Sequence, residues 1–184
     1  LPVADGGANQ VLQTDGGGSV SWATAGGGGL TNFIETATAN IGVGSGCLDS
    51  LTATSGNYNT GIGVNAGTAV TTGDQNVIAG WNAANYLTTG GLNVVIGAQA
   101  AASSNCTDLT ESVIIGQGAA LYLDGGVAKC VYIGRDAALG GTNSTGDNNV
   151  GIGHSVLRAQ TTGNNNAAVG FQAGYATTTG YQNS

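Results

Sequence analysis

A five-residue signature, Asn-x-x-Ile-Gly in its fullest form, returns about every 18 residues along most of this chain, and any fold has to honour that period. It is clearest as Asn93-Val-Val-Ile-Gly97. It varies to Asn59-Thr-Gly-Ile-Gly63, Asn76-Val-Ile-Ala-Gly80, Ser112-Val-Ile-Ile-Gly116, Cys130-Val-Tyr-Ile-Gly134, Asn149-Val-Gly-Ile-Gly153 and Asn166-Ala-Ala-Val-Gly170, with a weaker first copy at Thr38-Ala-Asn-Ile-Gly42. The anchor glycines are then Gly42, Gly63, Gly80, Gly97, Gly116, Gly134, Gly153 and Gly170, spaced by 21, 17, 17, 19, 18, 19 and 17 residues. One such repeat is too small to bury its own apolar side, so repeats of this kind stack into a solenoid.

Each signature reads as a short strand. Ile41, Ile62, Ala79, Ile96, Ile115, Ile133, Ile152 and Val169 stand one position before the anchor, and mostly Val stands three before. Side chains alternate in a strand, so these two positions share a face, and that face is apolar. The residue between them is also apolar in several copies (Ile78, Val95, Ile114, Tyr132). The reading is of parallel strands covered on both sides, as in buried parallel sheets. The glycine suits a sharp turn and close backbone approach. Asn59, Asn76, Asn93, Asn149 and Asn166, four before the anchor, are expected to stack into a ladder that satisfies turn backbone groups. The small Ala66, Ala83, Ala100, Ala119, Ala137 and Ala173 suit an inside corner. A helical turn fits at most 98–103 and 117–122.

Residues 1–29 differ. Val11-Leu-Gln-Thr14 and Ser19-Val-Ser-Trp22 flank Asp15-Gly-Gly-Gly18, a hairpin signal with Leu12 and Trp22 as its apolar pair. Gly26–Gly29 reads as a joint. The chain thus divides into a hairpin with a Gly-rich linker (1–29) and solenoid repeats (30–184). Its last residues, Thr179-Gly-Tyr-Gln-Asn183, begin a further repeat, as expected of a segment of a longer chain.

Charge narrows the partners. The net charge is −7, with Lys129, Arg135 and Arg158 as the cations among 7% charged residues. Phosphate backbones demand clustered Lys and Arg, so nucleic acid is not an expected partner. Apolar runs of four or five residues are too short for membrane insertion as a helix. Cys47, Cys106 and Cys130 fall at different phases of the repeat, which disfavours intrachain disulfides and predicts buried thiols. A thin coil with so little interior leaves an apolar face that only another chain can cover.

The opening Leu1–Trp22 and the repeats that follow resemble tail fibres of bacteriophages, especially marine and cyanobacterial ones. In those fibres, Asn-Thr-Ala-Ile-Gly-type repeats alternate with Thr-Thr-Gly. Here the matching elements are the signatures above with Thr71-Thr-Gly73, Thr88-Thr-Gly90, Thr161-Thr-Gly163 and Thr178-Thr-Gly180. The resemblance covers nearly the whole chain. Heads of bacterial trimeric autotransporter adhesins use a similar repeat, whereas repeat length here varies from 17 to 21. The resemblance implies an all-β, parallel β-solenoid or β-roll in a homotrimeric fibre, with the Ile/Val strands near its axis. It implies a structural and adhesive role in the virion tail, outside the cell, mediating or presenting attachment to a bacterial surface glycan or protein by repeated weak contacts. Other fibre segments are the further partners. The alternative is a bacterial surface adhesin head.

No catalytic, cofactor or metal constellation is read from the residues. His154 sits at a position also held by Val64, Trp81 and Gln117, the mark of an outward site. Gly61-x-Gly63-x-x-x-Gly67 lacks the helix of a nucleotide-binding unit. Asp74, Asp124 and Asp147 read as turn residues rather than calcium ligands. Trp81, Tyr86, Tyr122, Phe171 and Tyr175 read as corner packing, with stacking on sugar rings as the alternative. An ice-binding solenoid is a further alternative prompted by the threonines, and irregular repeat lengths oppose it. The hexapeptide phase of left-handed acyltransferase helices fails at Ala102 and Asp108.

Overall fold

The computed structural model describes residues 10–14, 17, 20–24, 33–35, 39–51, 55–124, 126–140 and 144–182. Two compact units are present, Leu1–Thr31 and Asn32–Ser184. In the first, β1 (Gln10–Thr14) and β2 (Val20–Thr24) pair antiparallel with Leu12 opposite Trp22. The Gly26–Gly29 joint lies outside the described residues.

The second unit is a parallel β-solenoid. Its strands are β3 (Phe33–Glu35), β4 (Ile41–Val43), β5 (Thr60–Ile62), β6 (Val77–Ala79), β7 (Val94–Ile96), β8 (Val113–Ile115), β9 (Val131–Ile133), β10 (Val150–Ile152) and β11 (Ala167–Val169). They lie in one sheet in sequence order. Strands β4 to β11 are parallel, in about seven coils, and β3 runs antiparallel along the β4 edge. Among the described residues there is no helix; 98–101 and 117–122 are turns, and 102–103 are irregular.

The anchor glycines carry the stack. From Gly63 to Gly153 each has φ between 131° and 142°, a region closed to side chains, and each lies flat against the next anchor. A Cβ on Gly63, Gly80, Gly97 or Gly116 would come within 2.7 Å of the carbonyl oxygen of the anchor one coil on. The first coil is out of the expected phase. Gly44, not Gly42, lies under Gly63 with φ 130°, while Gly42 pairs with Gly61 inside the strand. The first interval is therefore 19, and Cys47 takes the small-residue position three after its anchor.

The inward residue of each strand is the middle one. Ile78, Val95, Ile114 and Tyr132 are buried, as are Gly61 and Gly151, whereas Ile62, Ile96 and Ile152 point out of the coil and are exposed; Ile115 and Ile133 are partly covered. The expectation that both sides of these strands are covered is thus corrected: one chain covers one side. Glycine at the inward position makes room for large neighbours. A Cβ at Gly61 would strike Cys47 Sγ at 2.5 Å and Leu48 Cγ at 2.9 Å, and one at Gly151 would meet Tyr132 at 3.3 Å. The expected inside corner holds: Ala66, Ala83, Ala100, Ala119 and Ala137 are buried, joined by Leu48, Val70, Leu87, Leu109, Leu123 and Leu157.

Coil length varies at one place. From five residues before each anchor to six after it, successive coils superpose bond for bond, as in Gln75 N–H to Asn57 O, Gly80 N–H to Ile62 O and Asn82 N–H to Val64 O. The extra residues of the longer coils thus lie, in sequence, between six after one anchor and five before the next; in the coil from Gly97 to Gly116, described throughout, they fall within 104–109, after the inner Ala100.

Candidate functional site

Behind the strand runs a buried amide ladder. Asn59, Asn76 and Asn93 each donate through Nδ2 to the side-chain oxygen of the asparagine one coil back (Asn40, Asn59, Asn76) at 2.9–3.1 Å, and through the backbone N–H to the same oxygen. The second Nδ2 hydrogen reaches the far turn of the same coil, at Gly73 O (2.8 Å), Gly90 O (2.9 Å) and Leu109 O (2.6 Å). Asn149 and Asn166 repeat the scheme. The expected ladder is therefore present, and it gains Asn40, which the misplaced first anchor concealed. Two members deviate. Ser112 Oγ takes the Cys130 N–H at 3.1 Å. The Asn149 N–H meets the sulfur of Cys130, a weak acceptor.

All three thiols are free and buried. Burial pushes each upward, and for Cys106 burial together with the Asp108 and Asp124 carboxylates raises it to about 12. The protonated thiol is the folded form, and the unfolded chain ionises first, near 9.0. Stability is therefore full below that value and falls as pH rises towards 12. Two results are expected: no reaction of the native thiols with a chromogenic disulfide at pH 8, and an alkaline loss of stability that Cys106→Ala makes shallower.

The turn aspartates are tied into the stack. Asp74 Oδ1 accepts the Asn57 N–H at 2.6 Å, Asp147 Oδ1 accepts the Ala128 N–H at 2.9 Å, and Asp108 Oδ1 accepts the Gly126 N–H. Among the described residues no three of His, Cys, Asp and Glu converge as metal ligands. His154 is exposed and stacks on Phe171, with ring centroids 5.5 Å apart. Arg158 donates to Tyr175 Oη at 2.9 Å and lies over its ring. The threonines form two columns. Thr71, Thr88 and Thr161 spend their hydroxyls on the next coil's carbonyl, at 3.2, 2.9 and 3.0 Å. That leaves one exposed column (Thr72, Thr89, Thr145, Thr162, Thr179), broken at Asp108 and Gly126.

What the solenoid offers outward is its sheet. In each coil the exposed or half-exposed positions are the first and third strand residues, flanked by the residues five before and one after the anchor. Over the coils of β5 to β7 this brings out Tyr58, Ile62, Val64, Val77, Trp81, Leu92 and Ile96, each 38–65% exposed. Large apolar side chains exposed side by side, rather than scattered singly, are the kind of patch that marks an interaction site. Asp49, Asp74, Asp108, Asp124 and Asp147 all fall outside these outward positions; among the described coils Glu111 stands at one of them, Asp136 lies beside outward Arg135, and Glu35 of β3 pairs in register with Ile41 at the sheet's edge. No residue of the sequence had marked this charge segregation before the inward phase was known. No helix among the described residues is long and apolar enough to cross a membrane. Comparison of the chain with protein-family models, with curated proteins and with solved structures returned no match.

Proposed function

We propose that the chain is a structural and adhesive segment of a homotrimeric viral tail fibre, with the outer sheet faces of three copies turned towards a common axis. The observation that carries the reading is that apolar, carboxylate-poor face. A chain of net charge −7 repels its copies, so self-association calls for a face from which carboxylates are withheld. The number three and the viral tail come from the resemblance of the opening segment and repeats to phage tail fibres. On this reading the covered sheet makes the shaft, and turns away from it, which carry the exposed Tyr86 and Tyr122, face outward where a bacterial surface glycan or protein would be met.

Light scattering on the purified chain is expected to give three times the chain mass at micromolar concentration, and Ile62→Asp with Ile96→Asp to give the single-chain mass with the strand signal retained. A single-chain mass for the unaltered protein would sink the proposal. Immunogold labelling separates the viral fibre from the bacterial adhesin head: decoration is expected on virion tails rather than on cell surfaces.

A further inference from the structure

The apolar face is interrupted by a charged belt, and we propose that this belt sets the alignment of the copies through a Glu111–Arg135 ion pair between chains. The inference rests on the self-association proposed above. Glu111 stands five residues before the anchor Gly116, and Lys129 stands five before Gly134 in the next coil; Arg135 stands one after Gly134. Glu111, Lys129 and Arg135 are all exposed, and Arg135 also meets Asp136 of its own chain, Nε to Oδ2 at 3.5 Å. They are the charged members of the outward positions, set on the two coils of β8 and β9, with apolar coils to one side and uncharged ones to the other.

Symmetry decides how they meet. When copies are related by rotation about an axis along the stack, the edge preceding the strand in one chain adjoins the edge following the strand in the next. Glu111 of one copy then faces Gln117 of its neighbour at the same height, and the neighbour's Arg135 one coil higher, ~4.8 Å away along the stack. That step is within reach of an arginine side chain. Glu111 is thereby held between its own Lys129 and the neighbouring Arg135, and with Asp136, 3.5 Å from Arg135 Nε in the same chain, each copy brings two acids and two bases to the belt. An antiparallel arrangement over the full face sets the β8 coil against the β7 coil. Glu111 then meets Leu92 and Ala98, a carboxylate desolvated with its own Lys129 as its one cation and no arginine across the interface, and the Lys129–Arg135 coil meets Val77 and Trp81. A charge placed in an apolar interface costs affinity and selects alignment, the best-attested use of such groups.

Charge exchange tests the pairing in the full chain. Glu111→Lys is expected to weaken assembly at least tenfold, and Glu111→Lys with Arg135→Glu to restore it to within about threefold of the unaltered protein. For alignment, chains carrying Ala79→Cys are mixed with chains carrying Ile133→Cys and treated with a short bis-maleimide. Parallel copies give 79–79 and 133–133 products, and neutralising the belt with Glu111→Gln, Lys129→Gln and Arg135→Gln makes 79–133 products comparable in yield. An assembled protein whose exchange variant is not rescued, or which yields 79–133 products before neutralisation, overturns this pairing alone. A monomeric unaltered protein overturns the self-association beneath it as well.

Discussion

Gly97→Ala is expected to part the stack between β7 and β8, at a cost on the order of 4–5 kcal/mol, the upper end of the range for single substitutions. Two effects coincide. The backbone at φ 136° excludes any residue with a Cβ, and that Cβ would lie 2.4 Å from Gly116 O. The obstacle is backbone, which can yield only by separating two coils, and each coil is stable chiefly through its neighbours. Gly126→Ala is the matched control. Its φ of 82° is also left-handed, yet nothing lies within 4 Å of the added atom, so about 1 kcal/mol is expected. Urea unfolding of the two variants checks the difference. Equal losses would show that the anchors serve only to relieve backbone strain and not to permit contact between coils.

The second large effect is expected at the amide ladder. Asn76→Ala removes the acceptor of the buried Asn93 N–H and the donor to Gly90 O, and deletes the amide contact to Asn59. Buried polar groups left unpaired cost ~1–3 kcal/mol each, so a loss near 4 kcal/mol is expected by urea unfolding. Asn76→Ser should cost about half as much, because a serine hydroxyl can still take the next coil's N–H, as Ser112 does for Cys130. The ladder also invites repair. Cys130→Asn replaces sulfur with an amide oxygen beneath Asn149 and is expected to add about 1 kcal/mol. A neutral Asn76→Ala would mean that water reaches these groups and that the ladder follows from the stacking without contributing to it.

Much of this architecture was legible because each coil repeats the same physical problem. The period located every strand from β5 to β11, and the recurring Asn and Ala announced the ladder and the inside corner. What misled was glycine at inward positions. Gly42, Gly61 and Gly151 carry no side chain, so the inward column looked weaker than the Ile and Val columns that face out. Only the packing of Leu48 and Tyr132 into the space those glycines leave reveals which side is the core. The first anchor was misread for a related reason. Ile41-Gly42 imitates the end of a signature, while the informative residues were Asn40, four before Gly44, and Cys47, three after it. The charge segregation behind the association face could be recognised only after that phase was known, since it depends on which of two alternating positions is outside.

The confinement of extra residues to a single corner has an evolutionary consequence. Lengthening a loop there costs little, since closure entropy grows only with the logarithm of its length, and it disturbs neither the glycine contacts nor the amide ladder. Each coil can therefore vary its own corner independently, like keys on one keyboard, while the exposed apolar strand face stays constant. Under the association proposed above, new recognition could be acquired one corner at a time without renegotiating assembly.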